Sequence, residues 1–123
     1  MPRVTHFEFH AQDPEKLGDF YHQVFGWHIQ KKWVGKVDYW LIHTGLSDEK
    51  GIHGGIRQKA FSTSAPIPTI DVNDFDLYAE KIIASGGKLV TPKLSVTGTG
   101  YLAYCQDVEG NYFTLLEKDP STR

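Results

Sequence analysis

A single cysteine and a single methionine occur in the 123 residues. The lone thiol, Cys105, has no partner for an internal disulfide. That fits a reducing compartment and sets the expectation of a cytoplasmic protein. No apolar run approaches the roughly 18 to 20 residues that span a bilayer. The opening Met1-Pro2-Arg3-Val4-Thr5-His6 lacks the apolar stretch of a secretory leader. Excess charge is missing too: a net charge of −2 and a pI near 6.3 leave no basic footprint for nucleic acid. There is no G-x-S-x-G elbow to support a hydrolase triad. Gly98-Thr99-Gly100 is too short for a phosphate cradle and no helix follows it. What remains is 40% apolar, 13% aromatic and 23% charged, the profile of one globular domain. A chain of this size buries roughly two-thirds of its unfolded surface and needs no staple.

The order of elements is legible from periodicity. Val4 to His10 alternates strictly, with Phe7 and Phe9 on one face and His6, Glu8 and His10 on the other, as a strand requires. Asp13-Pro14-Glu15 supplies an N-cap, a proline at the first helical position and an acidic first turn. Leu17, Phe20, Tyr21, Val24 and Phe25 follow at helical spacing as an expected core stripe, and Gly26 ends the helix. Strands are then expected at 27–33, 39–44 and 51–56, the last weakened by three glycines. The second half repeats this plan. A strand at 67–72 leads to a helix capped by Asp71 or Asn73, with Phe75, Leu77, Tyr78, Ile82 and Ile83 as its apolar positions and Gly86-Gly87 as its stop. Strands at 88–91, 101–106 and 111–117 follow, the last two a hairpin through Asp107-Val108-Glu109-Gly110. The segment 95–100 reads as a flexible loop and the tail from Lys118 as frayed. Corresponding landmarks recur at an offset of 61 residues, pairing His6 with Ile67, Gly26 with Gly87 and His53 with Thr114. Two half-length units, about 4–60 and 66–117, then share one domain spanning 1–123.

A duplicated βαβββ module, with Asp13-Pro14-Glu15, Phe20-Tyr21 and Phe25-Gly26-Trp27 near its start and Asp107-Val108-Glu109-Gly110-Asn111 near its end, resembles the vicinal oxygen chelate superfamily. That superfamily includes glyoxalase I, extradiol dioxygenases, methylmalonyl-CoA epimerase and the fosfomycin and bleomycin resistance proteins. The resemblance implies an α+β fold in which two tandem βαβββ modules form a curved mixed sheet around a cavity. It also implies a homodimer and a small-molecule ligand. Members that use a metal take ligands from the first and last strands of each module. Carried over, those places are His6, His53, Ile67 and Thr114. Two imidazoles, an alkyl chain and a neutral hydroxyl make a thin set for Zn²⁺, Ni²⁺ or Mn²⁺. His6 and His53 are therefore the metal candidates, and no cofactor is assigned.

The remaining candidates follow from chemistry. Glu8 between two histidines is the setting in which a carboxylate abstracts a proton, although it can also sit against either histidine as a satisfied ion pair. Aromatics cluster on the strands, and a ring near Trp40 suits a planar or apolar ligand. His6, Glu8, Trp40, His53, Ile67, Thr69 and Thr114 are the expected ligand-binding residues, with Glu8 the catalytic candidate. Cys105 is expected to be buried and inert. Two functions stay open: a small-molecule-binding protein without a complete metal site, or a metal-dependent lyase, isomerase or epimerase of the glyoxalase I type using His6 and His53.

Overall fold

The computed structural model describes residues 2–34 and 37–123. Its order is β1 (Arg3–Ala11), α1 (Pro14–Phe25), β2 (His28–Val34), β3 (Val37–His43), β4 (His53–Gln58), β5 (Ile67–Asp71), α2 (Phe75–Ala84), β6 (Lys88–Leu89), β7 (Leu94–Val96), β8 (Gly100–Gln106) and β9 (Tyr112–Lys118). The fold is α+β, built from two βαβββ modules. One comprises residues 6–66; the other comprises 67–123 together with residues 2–5. None of the helices described is long and apolar enough to cross a membrane.

In the first module the strands run β2-β3-β4-β1. β1 and β4 are parallel, with His6 opposite His53, Glu8 opposite Gly55 and His10 opposite Arg57. β2 and β3 are antiparallel, as are β3 and β4. Asp13 caps α1 by accepting from the Lys16 amide, Pro14 follows it, and Gly26 closes the helix at φ 72°. The expected core stripe of α1 divides: Phe20, Val24 and Phe25 are exposed. Tyr21 instead lies flat on Trp27, with centroids 5.0 Å apart, and on Phe9 at 5.2 Å. Gly18 lets the helix settle on the sheet, since a β-carbon there would meet Ile29 at 3.2 Å.

Of the three glycines of 51–56, Gly51 precedes the strand and two lie within it. Gly54 and Gly55 are buried in β4, one on each face. A β-carbon on Gly54 would run into the Phe7 ring, and one on Gly55 into Tyr39. The two glycines make room for one aromatic ring on each side of the sheet.

The second module repeats the order as β5-β9-β8-β6, with β5 parallel to β9 and an added short β7 on β8. Val72, Phe75, Ala103, Cys105 and Leu115 form its buried cluster. The cap of α2 is Asp74, in place of Asp71 or Asn73: its Oδ1 accepts from the Leu77 amide, while Glu117 Oε1 accepts from the Phe75 amide at 2.8 Å. With this phase, Leu77 and Ile83 turn outward and Phe75 carries the packing. Residues 95–100, expected as loop, contribute β7 and a turn. The tail is tied down as well: Thr122 is buried, and its carbonyl accepts from the Gly98 amide.

The repeat is not strictly in phase. Its uniform offset pairs Ile67 with Thr114, but the ladder places Thr69 opposite Thr114. The second module is therefore shifted by two residues in β5, which preserves the face and changes the rung.

Candidate functional site

Strand alternation puts His6, Glu8 and His10 on one face of β1, and the pairing with β4 and β3 adds His53, Tyr39, Leu41 and His43 to that face. Tyr39 reaches across Gly55 to the strand beyond. Its hydroxyl donates to Glu8 Oε2 at 2.8 Å, and the same oxygen lies 2.9 Å from His6 Nε2. Glu8 Oε1 lies 2.7 Å from His10 Nε2, and His10 Nδ1 accepts from the Ala60 amide at 3.3 Å.

These contacts fix proton positions. A backbone N–H can only donate, so neutral His10 carries its proton on Nε2 and gives it to Glu8. Both carboxylate oxygens then accept, one from His10 and one from Tyr39. With its proton spent on Glu8, the Tyr39 oxygen accepts from His6, which places the neutral His6 proton on Nε2 as well. Glu8 is only 7% exposed. A buried carboxylate is costly unless such donors surround it.

The other expected site residues are distributed less favourably. Trp40 pairs with Ile56, one step out of phase with Glu8, and so lies on the opposite face from the polar row. Lys31 sits over its ring at 5.2 Å. The period of two thus separates Trp40 from His6 and Glu8 by the sheet. His53 stands opposite His6 but is exposed, and its Nδ1 accepts from the Thr44 amide at 3.1 Å. In the second module Ile67, Thr69 and Thr114 are all buried. Thr69 and Thr114 face each other across β5 and β9, and Thr114 Oγ1 has no hydrogen-bond partner among the described residues. A cavity of about 360 Å³ in that module, lined by Arg3, Thr5, Asp71, Asn73 and Tyr78 among others, contains none of them. Cys105 is buried, and desolvation raises its pKa to about 11 against a smaller opposing effect of a backbone hydrogen bond involving Leu115.

The carried-over metal positions fit a catalytic divalent ion poorly. Ile67 offers no donor atom and Thr114 a neutral hydroxyl. His53 already uses Nδ1 as an acceptor, so its neutral ring bears hydrogen, not a lone pair, on Nε2. Among the described residues no group of three or more His, Cys, Asp or Glu side chains is placed to hold a metal ion. Tyr39 and His10 are the members of the polar network that were not selected from sequence as ligand-binding or catalytic. The alternation of His6, Glu8 and His10 held the signal for one. The Gly54-Gly55 pair, which leaves space for a large ring, held it for the other.

Solved structures with the same fold include methylmalonyl-CoA epimerase from Mycobacterium tuberculosis (15% identity, TM-score 0.70, 95% of this chain and 88% of that one). A methylmalonyl-CoA epimerase in complex with methylmalonyl-CoA and NH4+ aligns over 99% of this chain and 98% of its own at 13% identity and TM-score 0.70. A Streptomyces coelicolor methylmalonyl-CoA epimerase variant in complex with 2-nitronate-propionyl-CoA gives 15% identity, TM-score 0.68 and coverage of 98% and 97%. No curated protein sequence matches the chain significantly. The profile of the Glyoxalase/Bleomycin resistance protein/Dioxygenase superfamily matches residues 3–115. With the duplicated βαβββ order, this establishes that the chain belongs to that superfamily.

Proposed function

We propose that this protein binds a small-molecule ligand on the polar face of β1, with His6 as the contacting group and Glu8, Tyr39 and His10 as positioning residues. One observation carries the reading. A buried carboxylate accepts from two side chains at once and, through Tyr39, holds the ring of His6. Both oxygens of Glu8 serve that arrangement, which argues for an anchor and against a proton-abstracting base. The reading extends to an aromatic or apolar ligand and to a cytoplasmic homodimer. A thermal-shift screen of planar aromatic compounds and acyl-CoA esters tests it. Hits should raise the melting temperature of the native chain and lose that effect in His6→Ala. Hits that stabilise both chains equally would refute the assignment.

A second reading is a metal-assisted isomerase or epimerase. Its support is the register that sets His6 opposite His53, together with the epimerases that share the fold. Against it stand the hydrogen bonds that both rings already make. Exchange of the α-proton of methylmalonyl-CoA in D₂O, with Zn²⁺, Ni²⁺ or Mn²⁺ added, decides this reading. Exchange that disappears in His6→Ala would support it; solvent-level exchange would exclude it.

A further inference from the structure

We propose that His28 and His43 form a surface clamp for a divalent transition-metal ion, with Cu²⁺ the ion held most tightly. The two residues are direct cross-strand partners at one end of the β2–β3 ladder. Both are exposed. Their ring centroids are 5.8 Å apart with the planes inclined by 43°. Two imidazoles each bonded through one nitrogen at about 2.0 to 2.1 Å to a shared ion have centroids about 4.5 Å apart at cis positions of a tetragonal Cu²⁺ and about 5 Å apart in near-tetrahedral geometry. Small rotations of two exposed side chains close that difference. The backbone is already fixed by the ladder, so little ordering is left to the ion.

The state of the ring nitrogens selects this pair from the six histidines. His6 engages Tyr39, His10 engages Glu8 and the Ala60 amide, His22 contacts the Trp27 carbonyl, and His53 accepts from the Thr44 amide. Among the described residues no hydrogen bond engages a ring nitrogen of His28 or His43. The His53 ring is 5.3 Å from that of His43, but its acceptor role at Nδ1 leaves Nε2 protonated and unable to ligate in the neutral form. The site is thus a two-nitrogen clamp whose remaining positions water fills, consistent with the want of any three-donor group among the described residues. Imidazole nitrogen favours Cu²⁺ over Ni²⁺ and Zn²⁺ along the usual affinity order.

The test is titration of the untagged full chain with Cu²⁺, followed by calorimetry and by electron paramagnetic resonance. One ion per chain is expected, with hyperfine splitting from two nitrogens. His28→Ala and His43→Ala should each weaken binding by about tenfold or more, because the loss of a ligand exceeds the usual effect of an outer-shell change. His43→Gln, which keeps a polar side chain of similar reach on the strand, should do the same. His6→Ala and His53→Ala should leave the affinity unchanged. Unaltered binding in both His28→Ala and His43→Ala would overturn the clamp, as would loss only in His6→Ala or His53→Ala. The latter pattern would instead favour the metal-assisted reading given above.

Discussion

The two modules share a strand order and differ in what they place on corresponding rungs. Where the first sets His6 opposite His53, the second sets Thr69 opposite Thr114. The first module spends buried polar surface on a carboxylate with two donors, and it clears space with Gly55 so that Tyr39 can complete the set. The second fills the matching positions with methyl-bearing side chains and leaves a hydroxyl without a partner among the described residues. A duplicated topology therefore fixes where side chains point, while each copy decides separately whether those positions hold chemistry or packing.

The sharpest way to break the contrast is Gly55→Ala. The added methyl occupies the place of the Tyr39 ring, so it overpacks the sheet and pulls the hydroxyl off Glu8. A loss of about 3 kcal/mol in urea unfolding is expected, from overpacking of about 1 to 3 kcal/mol plus an impaired buried hydrogen bond. Glu8→Gln comes next. An amide presents one acceptor and one donor to two groups that both donate, and the mismatch should cost about 1 to 3 kcal/mol. In the second module the sign should change. Thr114→Val removes a buried hydroxyl that bonds to nothing among the described residues and keeps the shape, so stability should stay within about 0.5 kcal/mol or rise. A destabilisation matching that of Glu8→Gln would erase the distinction between the modules.

The last expected effect is confined to alkaline pH and concerns Cys105. In the unfolded chain the thiol ionises near 9.0, and in the folded chain near 11. Its contribution to stability is therefore complete below pH 9 and declines as pH rises from 9 toward 11. Cys105→Ala should flatten that part of the pH–stability curve, and the native thiol should resist alkylation at pH 8 until the chain unfolds. Rapid alkylation of folded protein would contradict the burial.

Much of this was legible from single residues. Asp13-Pro14 and Gly26 bound the first helix because capping and left-handed closure are local. Alternation placed Phe7 and Phe9 opposite His6, Glu8 and His10 for the same reason. What escaped depends on contacts between distant segments. Asp74 caps α2 in concert with Glu117, 42 residues beyond Phe75. Thr122 is held by Gly98, and the two-residue shift between β5 and β9 is set by their pairing. At the site, Glu8 and His6 could be chosen from their strand alone. Tyr39 could not, because its role requires a glycine on the intervening strand. The face of Trp40 was not legible either, because it depends on the register of β3 against β4.

The central claim is that Glu8 fixes the proton positions of the first module's polar face. Long-range nitrogen–proton correlation of the imidazoles, recorded where they are neutral, tests it directly. The account predicts that His10 and His6 both carry their proton on Nε2, and that Tyr39→Phe shifts the His6 nitrogens while leaving His10 on Nε2. A neutral His10 protonated on Nδ1, or a His6 spectrum indifferent to Tyr39→Phe, would contradict it.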